Sequence, residues 1–122
     1  TRREALSEAY KVIEEHEQYL CLRMLEGLER IDGLKVWGIT ESSRISERSP
    51  TVSFTHPSMT ASMIGEELGR RGIFVWAGNF YALELTETLG LEPEGVLRAG
   101  VLHYNSIEEV DYFVKSVTEI LG

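Results

Sequence analysis

The chain has 122 residues, enough for one domain with a core of its own, spanning 1–122. Its 20 acidic side chains against 12 basic ones leave a net charge of −8, with no lysine and arginine cluster to offset it, which excludes nucleic acid as a partner. No apolar run is long enough to cross a bilayer and no signal-peptide pattern opens the chain, so a cytoplasmic protein without a membrane partner is expected.

The chain starts at Thr1 and enters helical sequence at once, which reads as a piece cut from a longer protein. Residues 3–30 form a long helical pattern. Leu6, Tyr10, Ile13, Leu20, Met24 and Leu28 make its apolar stripe, with Ala9 and Gly27 beside it. The stripe is narrow for so long a helix, so the helix is expected either to cover one surface of the domain or to pack partly on something outside these residues. Cys21, the single cysteine, lies in this pattern as a helix thiol near the core; it excludes an intrachain disulfide and a cysteine-based metal site. His16 falls on what reads as an exposed, inert helix face.

Residues 34–39 read as a short strand and 40–49 as a polar loop without periodicity. Residues 51–55 alternate in the strand manner, with Val52 and Phe54 on one face, and are expected to pair antiparallel with the first strand. Residues 57–71 read as a helix capped by Ser58 or Thr60, burying Ala61, Ile64 and Leu68. It ends at Gly72 with Ile73 after it, the pattern of a Schellman ending. Residues 73–76 form the next strand, broken by 77–80, and 81–89 form a short helix closed by Gly90.

Residues 96–103 read as the last strand. Leu97, Ala99 and Val101 fall on one face; Arg98, Gly100 and Leu102 fall on the other. An arginine beside a glycine can lie along the sheet and present its fork to a carboxylate or phosphate, although a salt-bridged surface arginine gives the same pattern. A closing helix follows. Ser106 with Glu109, or Asn105 with Glu108, makes a capping box, and Val110, Phe113, Val114, Val117, Ile120 and Leu121 form its apolar face. The order of elements predicts an α+β two-layer sandwich: a small, mainly antiparallel sheet with helices on one face and Arg98 on the other.

No self-sufficient active site emerges. His16, His56 and His103 lie far apart without metal-ligand spacing; His56 beside Pro57 reads as structural, and His103 ends the Arg98 strand within reach of a site there. There is no nucleophile elbow, phosphate loop or dinucleotide fingerprint.

Several stretches in fixed order carry a resemblance: "VLRAGVLHYNSIEEVDYFVKSV", "GEELGRRGIFVWAGNFYALEL", "RSPTVSFTHP" and the first helix. Together they resemble the C-terminal small domain of class V aminotransferases, the cysteine desulfurase-like group of pyridoxal-phosphate enzymes of fold type I. The resemblance implies that Arg98 grips the α-carboxylate of a small amino-acid substrate, and that Asn79, Tyr81 and His103 are candidates to line the pocket. It implies a large cofactor-binding domain in the same chain, pyridoxal 5'-phosphate held there, and a homodimer. Lys11, Lys35 and Lys115 match no Ser-x-His-Lys motif, so the isolated piece is expected to hold no cofactor, to contain no catalytic residue and to be inactive. The run from Gly78 to Ala82 resembles the stretch where one desulfurase branch carries Gly-His-His-Cys-Ala. Tyr81 stands at the cysteine's position, and a phenol does not replace a thiolate in persulfide chemistry. The parent reaction is then transamination or a β- or γ-elimination, with desulfuration disfavoured. The alternative from another class is a free-standing, acidic, cytoplasmic ligand-sensing or protein-interaction module.

Overall fold

Four short strands pair into one antiparallel sheet in the computed structural model, which describes residues 1–122. They are β1 (Lys35–Trp37), β2 (Thr51–Thr55), β3 (Trp76–Gly78) and β4 (Val96–Gly100), in spatial order β1-β2-β4-β3. Helices α1 (Arg2–Leu28), α2 (Ala61–Arg70) and α4 (Ile107–Leu121) cover one face, and α3 (Leu83–Thr88) follows the β3 loop. This is the α+β arrangement with an antiparallel sheet that the order of elements predicts.

Alternation in the two central strands divides the faces. Val52, Phe54, Leu97 and Ala99 are buried against the helices, with Leu20, Met24, Leu28, Ile64, Leu68, Val110 and Val117. Phe54 meets Phe113 edge-on at 6.4 Å between ring centres. Burying a side chain of that size contributes about 2–3 kcal/mol. Arg98 and Gly100 point to the opposite, open face.

Only the second half of α1 joins this core, through Leu20, Cys21, Met24, Leu25 and Leu28. Leu6 and Tyr10, counted in the stripe, are exposed, and so are Val12 and Tyr19. His16 is not inert: its Nε2 lies 3.0 Å from the Asn105 carbonyl and ties α1 to the turn before α4. Where α1 crosses α4, a Cβ on Gly27 would stand 2.5 Å from Val114 Cγ1, so the helices approach through the absent side chain. The capping box of α4 is the Ser106–Glu109 one: Glu109 N donates to Ser106 Oγ at 3.2 Å and Ser106 N to Glu109 Oε2 at 2.8 Å.

Several boundaries differ from the sequence reading, each because a backbone or side-chain group is used elsewhere. The α2 helix starts at Ala61 rather than 57. His56 pairs across a turn with Met59, Ser58 bonds His56 Nδ1 at 2.8 Å, and Thr60 is the cap, accepting from Met63 N at 3.2 Å. Its Schellman ending forms as expected: Gly72 (φ 77°) donates to Gly69 O and Ile73 to Leu68 O, both at 3.0 Å. Ile73 thereby gives its N–H to the helix end, and β3 begins only at Trp76 and includes Ala77 and Gly78.

Residues 40–49 are not a bare loop. Ser42–Glu47 is a 3-10 helix kinked at Arg44, with Ile45 packed on the core. Arg48 staples it, donating to the carbonyls of Ile39, of Ser49 at 3.3 Å and of Thr51 at 2.8 Å. The first strand is confined to Lys35–Trp37. The last strand stops at Gly100: Val101 N still bonds Pro50 O at 3.0 Å, but Leu102 N turns to Asn105 Oδ1 at 2.8 Å.

Two predictions follow from this packing. Gly27→Ala forces Val114 and the α1–α4 crossing apart, and we expect a loss of about 1–2 kcal/mol in urea denaturation despite the better helix propensity of alanine. Adding Val114→Ala should make the Gly27→Ala change nearly neutral; equal losses in both backgrounds would place the close contact elsewhere.

The second concerns acid. The Ser106 amide, with Asn105, holds the Glu109 carboxyl below its usual range, and hydrogen bonding from Arg23 does the same for Asp111. Depressed native values stabilise the fold above the unfolded carboxylate range of about 4, and that stabilisation is lost as pH falls through the lowered native values. Glu109→Gln and Asp111→Asn should therefore lower the denaturation midpoint at neutral pH and flatten its fall below about pH 4. An unchanged acid slope in both variants would remove these groups from the linkage.

Candidate functional site

The open face of the sheet is organised by one cross-strand row. Trp37 lies opposite Ser53, Ser53 opposite Arg98, and Arg98 opposite Trp76. Arg98 thus stands in the middle of the sheet, between a serine and a tryptophan. Gly100, two residues along β4, leaves the next place on that face open, with Thr51 across from it. At the β1 edge, Trp37 Nε1 donates to Thr55 Oγ1 at 3.0 Å, and Lys35 Nζ sits 3.7 Å above the Trp37 ring.

Beyond β3 the chain folds back over Arg98. Phe80 (φ 56°) and Tyr81 (φ 62°) both adopt the left-handed conformation, which bulky side chains rarely take. Asn79 holds the turn: its Oδ1 accepts from Tyr81 N at 3.2 Å, and its carbonyl accepts from Ala82 N at 2.9 Å. The expected helix over 81–89 accordingly starts only at Leu83. The turn lays the Phe80 ring on the guanidinium, 3.8 Å from Arg98 Cζ, and Trp76 meets Phe80 edge-on at 6.4 Å. Tyr81 projects from the tip and is fully exposed.

Residues 76–81 and Arg98 line an open cleft of about 330 Å³. Arg98 has no carboxylate partner within the chain, as is also true of Arg2, Arg3, Arg30 and Arg48, whereas Arg23, Arg44, Arg70 and Arg71 each pair with an acid. The cleft offers a cation, an amide, a phenol and aromatic walls. Its lining holds no histidine, lysine, thiol or carboxylate, and its one charged side chain is Arg98.

Of the sequence candidates, Arg98, Asn79 and Tyr81 come together here. His103 does not. It lies edge-on against Tyr104 and lines a separate groove along the first half of α1, with Leu6, Tyr10 and Glu17. His56 is held at both ring nitrogens, by the Asp32 carbonyl at 2.9 Å and by Ser58. Cys21 is buried on the helical side of the sheet, and burial pushes its thiol up, against a weaker opposite pull from Arg48. Trp76 and Phe80 did not stand out in the sequence. The one signal for them is that aromatic residues flank a glycine turn directly after a strand.

Lys11 is on exposed α1, Lys35 is on the Trp37 ring, and Lys115 lies 3.9 Å from Glu119. None lines the cleft.

Comparison with known proteins places the arrangement in a family. Residues 6–113 match the model of aminotransferase class-V. An aminotransferase-like protein of Gibberella zeae is 35% identical over 118 residues, covering 93% of this chain and 29% of that protein. A probable cysteine desulfurase of Mycobacterium leprae is 34% identical over 111 residues, covering 91% of this chain and 25% of that protein. The apo structure of a cysteine desulfurase from Thermococcus onnurineus superposes with a TM-score of 0.81 at 29% identity, over 89% of this chain and 26% of that one. The chain therefore spans between a quarter and a third of the length of these relatives. The match over residues 6–113, most of the chain, makes this chain a member of the class V aminotransferase family.

Proposed function

We propose that this chain is the C-terminal, substrate-facing domain of a pyridoxal-phosphate-dependent enzyme acting on a small amino acid, and that Arg98 binds the substrate's α-carboxylate. The observation that carries this reading is the state of Arg98. It is fixed on a central strand, exposed, without an acidic partner, and covered on one face only. A guanidinium stacked by its face keeps its in-plane N–H donors free for a bidentate carboxylate. Holding the carboxylate orients the α-bonds of the substrate for reaction.

The coenzyme, when bound, supplies an electron sink for the amino-acid carbon. It is held by the large domain of the same chain, and the active protein is a homodimer. Trp76, Tyr81, Leu83 and Leu85 are exposed around the cleft, which supports its being covered by another part of the protein. By itself the domain does not catalyse.

Sulfur transfer by a persulfide on this chain is disfavoured. Tyr81 occupies the loop position, and Cys21 lies buried in the helical layer on the other side of the sheet from Arg98. A buried thiol with a raised pKa is a poor nucleophile. Transamination or elimination fits the cleft's content better.

The test uses the full-length protein purified with pyridoxal phosphate. Its visible absorption should shift with amino acids, and after L-cysteine no persulfide should be found on Cys21. A Cys21 persulfide would restore the desulfurase route; no absorption band at all would remove the coenzyme from the reading. Arg98→Ala should weaken amino-acid binding about 100-fold, and Arg98→Lys should recover only part of it, since an ammonium lacks the planar fork. Unchanged affinity in Arg98→Ala would overturn the role of Arg98.

A further inference from the structure

Arg98 is a long side chain on an exposed sheet face, with several rotatable bonds and no carboxylate to hold it. Left alone it would sample many conformers, and ordering it on binding would cost entropy. The chain supplies one constraint. The Phe80 ring covers the face of the guanidinium at 3.8 Å, and the Trp76 ring is set edge-on behind Phe80.

That constraint is bought with strain. Two consecutive non-glycine residues, Phe80 and Tyr81, are in the left-handed region, a conformation unfavourable for bulky side chains. Nothing in the core uses the turn: Tyr81 is fully exposed, and neither residue belongs to the buried cluster. Besides the Asn79 hydrogen bonds that close it, the turn places the Phe80 ring on Arg98 and against Trp76.

We propose that Phe80 is a positioning residue for Arg98, holding the guanidinium flat so that its edge is presented to an α-carboxylate before the ligand arrives. The inference rests on the reading of Arg98 as the carboxylate ligand. Phe80 acts through the arginine. The interaction is electrostatic as well as steric, because the ring face is negative and the guanidinium positive. An aliphatic side chain of similar size fills the space without that attraction, whereas tyrosine retains it.

The test uses full-length protein loaded with pyridoxal phosphate. Binding of L-alanine and of L-alaninamide, in which a neutral amide replaces the carboxylate, is followed by the spectral shift of the coenzyme. The unaltered protein should bind L-alanine the more tightly. Phe80→Leu should weaken L-alanine about 5-fold and leave L-alaninamide unchanged, and Phe80→Tyr should restore the difference. In a separate readout, the Arg98 side-chain proton resonances should carry an upfield ring-current shift that Phe80→Leu removes and Phe80→Tyr keeps.

Equal weakening of both ligands in Phe80→Leu would make Phe80 merely structural and overturn the proposal, as would no weakening of either. A Phe80→Leu protein that fails to fold leaves Phe80→Tyr and the resonance shift as the deciding results: loss of L-alanine preference in a folded Phe80→Tyr variant overturns it. Should the unaltered protein show no preference between the two ligands, or should Arg98→Ala keep that preference, the Arg98 reading itself fails. A preference that depends on Arg98 but not on Phe80 sinks this inference alone.

Discussion

β4 is a central strand with one dry face and one open face, and the rest of the domain is arranged by that fact. Its neighbours β2 and β3 pair with it on both sides, so its backbone is satisfied and its register is fixed. Leu97 and Ala99 anchor one face in the core, which obliges Arg98 to stand on the other. A slip of one residue would bury the guanidinium and expose Leu97, a cost no nearby acid offsets. The core therefore does more than stabilise: it determines which way the arginine points.

That constraint explains what was legible in the sequence. The alternation through β4, the capping box Ser106–Glu109 and the Schellman ending at Gly72 are local patterns, and each formed where it was read. The strand over 73–76 and the helix start at 57 were misplaced because their determinants are competing hydrogen bonds. Ile73 N–H serves the end of α2, and Ser58 serves His56. Neither is visible in hydrophobic periodicity. The 3-10 helix at Ser42–Glu47 has no apolar stripe to detect, and it is held by Arg48 bonding three carbonyls from outside it.

The cleft was half legible for the same reason. Arg98 is marked by strand period and Asn79 and Tyr81 by position in the loop, whereas His103, named with them from the sequence, lies apart from the cleft. Two further residues of strand would have kept His103 near the sheet. Instead Leu102 N turns to Asn105 Oδ1, and His103 swings toward α1. Phe80 reaches Arg98 through two left-handed residues in succession, and no propensity scale anticipates that conformation for phenylalanine and tyrosine.

The division of labour between strand and loop bears on how such a domain changes chemistry. Arg98 is carried by the central strand, paired on both sides, whereas the residues around it are carried by a turn outside the core. Substitution in the turn alters the cleft without disturbing the sheet register, and substitution in β4 does both. The strand-borne arginine can thus stay in place while the side chains presented beside it change. The strained turn fits this division: its energetic cost falls on a segment that contributes little to stability, and its benefit falls on the orientation of one charged side chain.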